Sequence, residues 1–328
     1  MNIIDLNNDV CSLTDTGLVR KANEDNCSFQ ETINGFLFVV CDGMGGHVAG
    51  AKASSIAVNN IVEFFSKEKY TNIKQALEEA ITSANLQILY AVAENSELKG
   101  MGTTVCVVLV NDAQVWFAHV GDSRIYLYNN QQQRLHRLTK DHSIVQSLVD
   151  SGEITEAEAE KHPQRNRILK ALGMKSVLQA TVCDMPLLPV TGDVILLCTD
   201  GLTCMVSDAT LLQILKENIT IQEKGEQMLS LAIKAGGIDN VTLQLVQVSN
   251  SPHQQSVFES KNVPPREPVV NETEKAEMVN NDNEKNDNEN KENVPIEKKK
   301  RKKSWIIFLV LGLVLIAVGA FLVKNYLL

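Results

Sequence analysis

Trp305 to Val323, WIIFLVLGLVLIAVGAFLV, runs for nineteen residues without a charge, and such a stretch has few places to go. At 1.5 Å of rise per residue it makes a helix about 28 Å long, close to the roughly 30 Å of a bilayer's hydrocarbon core. A helix buried in a soluble domain is rarely apolar on every face. The reading is therefore a transmembrane helix over 305–323. Directly before it, 298–304 holds Lys298, Lys299, Lys300, Arg301, Lys302 and Lys303; after it, 324–328 holds only Lys324 and four uncharged residues. That asymmetry predicts a C-terminal anchor in the cell membrane, with everything upstream cytoplasmic and the last residues outside. Basic residues set against a membrane helix suit anionic lipid headgroups better than a nucleic-acid or nuclear-import role.

Upstream of the basic run, residues 250–297 are rich in Asn, Glu, Lys and Pro, and Phe258 is their single aromatic. Such a composition buries too little apolar surface to offset the entropy of ordering, so a disordered linker is expected. Residues 1–249 alternate apolar runs with turns and form the globular domain. Its opening, MNIIDLNND, lacks the features of a signal peptide. The net charge of −9 argues against nucleic acid as a partner. The seven cysteines (Cys11, Cys27, Cys41, Cys106, Cys183, Cys198, Cys204) form no CxxC pair. They read as free thiols in a reducing compartment.

Within that domain, Gly35–Cys41 (GFLFVVC) and Val194–Thr199 are short apolar runs, the mark of strands buried on both faces. Strand-like pieces also cover Thr103–Val110, Gln114–His119, Arg124–Tyr128 and Val241–Val248. Helical spacing joins Ala53, Ala57, Ile61 and Phe64, and again Ile73, Leu77, Ile81, Ala84, Ile88 and Val92. Further helices are expected near Ser207–Glu217 and Gln222–Ala235. Ser143–Leu172 is polar and mostly helical in pattern, with Pro163 breaking it. Strands in runs, interleaved with helix pairs, predict an α+β fold of antiparallel sheets covered by helices.

The acids sit in telling places. Asp42 ends FLFVVCDG, Asp200 ends ILLCTDG, Asp122 lies in HVGDSR, Asp239 precedes the last strand, and Glu24 and Asp25 are adjacent. Singly, each has a dull explanation, since Asp-Gly after a strand is commonly a turn. Together they place several carboxylates where loops bring them to one sheet edge. Like charges so gathered repel unless a cation lies among them. Oxygen ligands without a paired His or Cys suit Mg²⁺ or Mn²⁺.

At this point the residues carry a resemblance. TDTGLVRKANED (Thr14–Asp25), DGMGGHVAGAKAS (Asp42–Ser54), GMGTT (Gly100–Thr104) and HVGDSRIYLY (His119–Tyr128) resemble successive motifs of the bacterial metal-dependent PP2C-type phosphatases. LTKDH (Leu138–His142), HPQRNRILKALG (His162–Gly173), CTDGLTCMVSD (Cys198–Asp208) and GGIDNVTL (Gly236–Leu243) continue the series in order, so that it covers about residues 8 to 248. The resemblance implies two packed antiparallel sheets flanked by helices. It also implies hydrolysis of phosphoserine and phosphothreonine in proteins.

By the same resemblance, Asp42 bridges two ions and the Gly43 carbonyl binds one. Asp200 and Asp239 complete the second site, Asp25 and Glu24 bind directly or through water, and Asp122 helps hold a third, weaker ion. Arg20 grips the substrate phosphate, for which its planar fork is suited. Water between two such ions is acidified and attacks phosphorus in line near neutral pH. His47 occupies the position of a leaving-group acid only loosely. It lies five residues after the aspartate, where animal members have a histidine at the place of Met44, so a structural role stays open. Ala51 replaces a common glutamate. His119, His136, His142, His162 and His253 read as structural or surface residues. The implied counterpart is a membrane serine/threonine kinase, and a monomer is expected.

Two other readings compete. Gly45–Lys52 follows a strand and opens a helix like a nucleotide-binding loop, but such a loop needs Lys directly after its second glycine. Here Ala51 intervenes. The other rival is an inactive, membrane-anchored phosphoprotein-binding module, which would have no need to retain every metal-binding acid.

Overall fold

A computed structural model describes residues 3–255 of the chain. In chain order its strands are β1 (Val10–Asp15), β2 (Asn26–Thr32), β3 (Gly35–Cys41), β4 (Gly43–Met44), β5 (Gly102–Thr103) and β6 (Val105–Asn111). They continue with β7 (Gln114–Val120), β8 (Arg124–Asn129), β9 (Arg134–Arg137), β10 (Thr181–Val182), β11 (Val194–Cys198) and β12 (Val241–Gln247). The α-helices are α1 (His47–Lys67), α2 (Ile73–Glu94), α3 (Ile144–Asp150), α4 (Glu156–Glu160), α5 (Asp200–Thr203), α6 (Asp208–Lys216) and α7 (Ile221–Lys234).

Two five-stranded antiparallel sheets carry the fold, in the orders β1-β12-β11-β8-β9 and β10-β7-β6-β3-β2. The period of two along each strand sorts side chains into three layers. Phe36, Phe38, Val40, Cys106 and Val108 of one sheet meet Ile125, Leu127, Ile195, Leu197 and Val246 of the other in a central core. The opposite face of the second sheet, with Leu37, Val39, Val107 and Leu109, packs under α1 and α2. The outer face of the first sheet, with Tyr126, Leu196, Leu243 and Leu245, packs under α6 and α7. This is the expected sandwich of two sheets between helices. Truncating Phe38 to alanine would cost about 3–5 kcal/mol, as for a large buried aromatic.

Three details differ from the sequence reading. Phe65, not Phe64, continues the buried row Ala53, Ala57, Ile61; Phe64 instead stacks on Tyr70 with ring centroids 4.8 Å apart. The segment 143–172 holds only α3 and α4, because neither helix has a buried residue to dock it. Strands β1, β2 and β9 lie at sheet edges, where half-exposed polar residues blur the alternation that reveals a strand.

Ser249 does not end the domain's contacts. Ser251 Oγ donates to Pro189 O at 2.6 Å, and His253 Nε2 lies 3.1 Å from Ala113 O. The rest of the expected linker, the basic run and the apolar helix 305–323 lie outside the described residues. Among the described residues no helix is long and apolar enough to cross a membrane.

Candidate active site

The inner strands β3 and β11 belong to different sheets, and a candidate acid follows each. Asp42 follows β3 and is locked by its backbone: its carbonyl accepts from Thr104 N and Thr103 Oγ1, both at 2.8 Å, and its N–H donates to Thr104 Oγ1 at 3.0 Å. Asp200 opens α5 directly after β11. Asp25 precedes β2, one step beyond the pair Asn26–Cys41, so the register sets it opposite Asp42. Thr199 Oγ1 donates to Asp25 Oδ2 at 3.0 Å across 174 residues of sequence. Asp122 sits in the tight turn between β7 and β8, where Gly121 takes φ of 106° against Thr104.

Each of these acids keeps some exposed surface yet is enclosed by protein on most sides, and burial disfavours the carboxylate. Burial pushes Asp25 up to about 7, opposed by hydrogen bonds from Thr242 and Thr199 and reinforced by the charges of Asp200 and Asp239. Asp122 rises to about 7, through burial and then through Asp200. Asp200 rises to about 6 from burial and Asp239, although a hydrogen bond with Asp42 opposes the shift. Asp42 is raised well above the carboxylate range, by burial and then by Asp25, Asp200, Asp122 and Asp239. These acids therefore share one electrostatic neighbourhood. Among the described residues, however, no three His, Cys, Asp or Glu side chains are arranged as a ready-made metal cage. The donor set is oxygen alone, and its mutual repulsion is the strain that a hard divalent ion relieves, so the residues present fit Mg²⁺ or Mn²⁺.

Glu24 is buried, its N–H donating to Asn240 Oδ1 and its carbonyl accepting from Ser54 Oγ. Its carboxylate rests against α1 where a Cβ on Gly50 would meet Glu24 Oε2 at 1.9 Å. A Cβ on Gly43 would strike the carbonyls of Gly50 and Glu24 at 2.3 and 2.4 Å. Both glycines are space requirements of the site. His47 is the first residue of α1.

Arg20 and Asp239 are brought together, but onto each other: Nη2 donates to Oδ2 at 2.7 Å. Half-exposed as it is, this ion pair is worth about 1 kcal/mol or less, so it holds neither partner firmly. Asn240 organises both loops. Its amide donates to Thr16 O at 2.9 Å and Ala22 O at 3.0 Å while its oxygen holds Glu24 N at 2.8 Å. Sequence reasoning passed over Asn240, although it stands beside Asp239 in GGIDNVTL.

Behind Asp122 lies a second charged group. Asp141 is paired with Arg124 and Arg137 at 2.8 Å each. Burial pushes its carboxyl up, but the two guanidiniums outweigh it and hold it below the usual range. His119 and His142, expected to be merely structural or surface residues, stack with centroids 4.7 Å apart. His142 N donates to Gly121 O at 2.9 Å, and Gly121 N donates back to His142 Nδ1 at 3.1 Å. His142 Nδ1 is thus an acceptor, and burial followed by the charge of His119 lowers its pKa to about 3. The ring is neutral and clamps the turn that carries Asp122.

A fold of two sheets between helices, with these acids at one edge, finds its match among known proteins. The family described as protein phosphatase 2C matches residues 19–232. The chain belongs to the protein phosphatase 2C family. The serine/threonine phosphatase stp of Listeria innocua is 38% identical over 239 residues, 71% of this chain and 93% of that protein. The crystal structure of the serine/threonine phosphatase PstP/Ppp of Mycobacterium tuberculosis superposes with a TM-score of 0.66 at 35% identity, covering 74% of this chain and 98% of that one. The catalytic domain of PstP in complex with two manganese ions superposes with a TM-score of 0.64 at 34% identity, over 74% and 98%. The relatives are thus matched over nearly their whole length, whereas this protein phosphatase 2C carries sequence beyond theirs. By family it is a serine/threonine protein phosphatase, of a kind that uses Mn²⁺ or Mg²⁺.

Proposed function

We propose that the chain hydrolyses phosphoserine and phosphothreonine in proteins at the edge formed by Asp25, Asp42, Asp122, Asp200 and Asp239, with Glu24 behind them. The observation that carries this reading is the convergence of acids from both sheets into a neighbourhood where they raise one another's pKa. Asp42, Asp200, Asp239 and the Gly43 carbonyl would hold two core ions, Asp25 and Glu24 would support them, and Asp122 would hold a third. When bound, Mn²⁺ or Mg²⁺ supplies Lewis-acid charge at the phosphoryl oxygens and acidifies water.

The chain's own residues do the remainder. Thr199 fixes Asp25, Asn240 fixes Glu24, and the backbone of Thr104 fixes Asp42. Arg20 leaves Asp239 and offers its fork to two phosphate oxygens, orienting the ester and stabilising charge as it develops. His47, at the start of α1, is the candidate to protonate the departing serine or threonine oxygen.

The sequence of the tail favours a tethered enzyme, its apolar stretch 305–323 reading as a single-pass anchor and the basic run before it as a partner for anionic lipid. Membrane-bound phosphoproteins, among them a serine/threonine kinase, are the substrates this geometry favours. Turnover of a phosphothreonine peptide with Mn²⁺, compared with and without chelator, is the test. Metal-dependent turnover supports the reading; binding of the phosphopeptide without turnover would favour the inactive module.

A further inference from the structure

Three aliphatic side chains beside Arg20 face solvent: Leu18 is 69% exposed, Val19 64% and Ile238 44%. Their exposure is built rather than slack. Leu18 N–H donates to Gly237 O at 2.7 Å, and Asn240 ties down both ends of the loop through Thr16 O and Ala22 O. Gly17 takes φ of 76°, where a Cβ would meet the carbonyls of Asp239 and Gly237 at 2.3 and 2.6 Å. The Arg20–Asp239 pair closes the same junction at 2.7 Å. Two loops remote in sequence are thus fastened to each other, and the exposed Leu18, Val19 and Ile238 stand next in the chain to the paired Arg20 and Asp239.

We propose that Leu18, Val19 and Ile238 form a preorganised apolar seat for the substrate residue next to the phosphoserine or phosphothreonine. The proposal rests on the phosphatase reading above and adds a substrate class to it: phosphopeptides with an aliphatic neighbour at the phosphorylated position. A phosphate held by Arg20 sets its adjoining main chain within reach of this strip, because Leu18 and Val19 precede Arg20 in one loop and Ile238 precedes its partner Asp239 in the other. An aliphatic neighbour gains by leaving water there at no ordering cost to the enzyme. An acidic neighbour gains nothing from an aliphatic strip and keeps its water instead, with Asp15 at the end of β1 adding like charge nearby.

The test uses the full chain with Mn²⁺ and two phosphothreonine peptides that differ only in a Leu or Asp beside the phosphothreonine. The reference substrate is para-nitrophenyl phosphate, which is too small to span the strip. The wild type favours the Leu peptide about tenfold in kcat/KM. In L18S/V19S, and independently in I238S on the other loop, the ratio of Leu-peptide to aryl-phosphate kcat/KM falls several-fold, while the conservative Leu18→Met keeps it near the wild-type value. These exposed positions tolerate Ser without loss of fold. An unchanged ratio in both variants overturns the proposal, as does a wild type indifferent to the neighbour. Loss of binding to phosphatidylglycerol vesicles with the ratio intact would make the strip lipid-facing and overturn it equally. A wild type that turns over neither substrate removes the phosphatase reading itself and the seat with it.

Discussion

Asp25 and Asp141 are both enclosed by protein, and both feel the same tendency of burial to favour the neutral acid. Asp25 has carboxylates for neighbours and is pushed up to about 7; Asp141 has Arg124 and Arg137 and is held low. The depth of burial is similar, and the sign of the shift is set by the company. The Asp141 carboxylate has its counter-charges within the chain and belongs to the scaffold. Asp25 and Asp42 have other carboxylates as their charged neighbours, and the proposed metal ions would relieve that imbalance.

The sharpest way to break this comparison is to remove charge from each side of it. Asp42→Asn and Asp239→Asn are expected to lower kcat by at least about 10²–10³-fold, the scale of losing a preorganised electrostatic element, with the domain still folded. Mn²⁺ calorimetry together with phosphothreonine-peptide kinetics measures this, and near-normal turnover in either variant would refute the ligand assignment. Asp141→Ala should instead act on stability. It leaves two guanidiniums without their anion and costs about 3–5 kcal/mol in urea unfolding. Asp25→Asn, by contrast, should raise the Tm of the metal-free domain.

Metal and pH sharpen the same contrast. Mn²⁺ at a hundred times its Kd should stabilise the domain by about 2.7 kcal/mol. Without metal, Asp25, Asp122 and Asp200 have folded pKa values above their ordinary one. Between about pH 4 and 7 the folded state therefore holds more protons than the unfolded state, and stability falls as pH rises. Their favourable contribution is complete below about pH 4 and gone above about 7. Calorimetric Tm values across that range should decline without Mn²⁺ and decline less with it. A rise without metal would contradict the crowding.

Arg20→Ala is the smaller perturbation, expected to raise KM about tenfold while kcat changes less, because the guanidinium grips phosphate in ground and transition states alike. A loss confined to kcat would place its contact in the transition state alone. Smallest of all, a chain ending at residue 255 should keep its turnover of soluble peptide and slow only on a substrate in vesicles. Equal losses on both would end the tether reading.

The strands most legible in the sequence were those buried on both faces. GFLFVVC and VILLC read as strands because nothing polar interrupts them, whereas VCSLTD and NCSFQET at the sheet edges do not. The acids were visible as acids ending strands, and their roles came from motif order rather than from periodicity. Asn240, Thr199 and His142 were not visible as site residues, because each acts through hydrogen bonds to chain remote in sequence. No local pattern encodes such a partner. Nor could spacing distinguish Phe64 from Phe65, since i+3 and i+4 both lie on one helical face.

Strand β1 is zipped to β12, residue for residue from Val10–Val246 to Asp15–Val241, so the last strand made is the one that seats the first. Thr199 must arrive before Asp25 has its hydroxyl partner, and Asp239 and Asn240 before the Arg20 loop has anything to hold. Asp42, just past β3, is made long before Asp200 and Asp239, the acids that come to lie near it from the end of the domain's sequence. The site is therefore complete only once β12 has been made, and fragments ending before Val241 are expected to be inert however well β3 has formed.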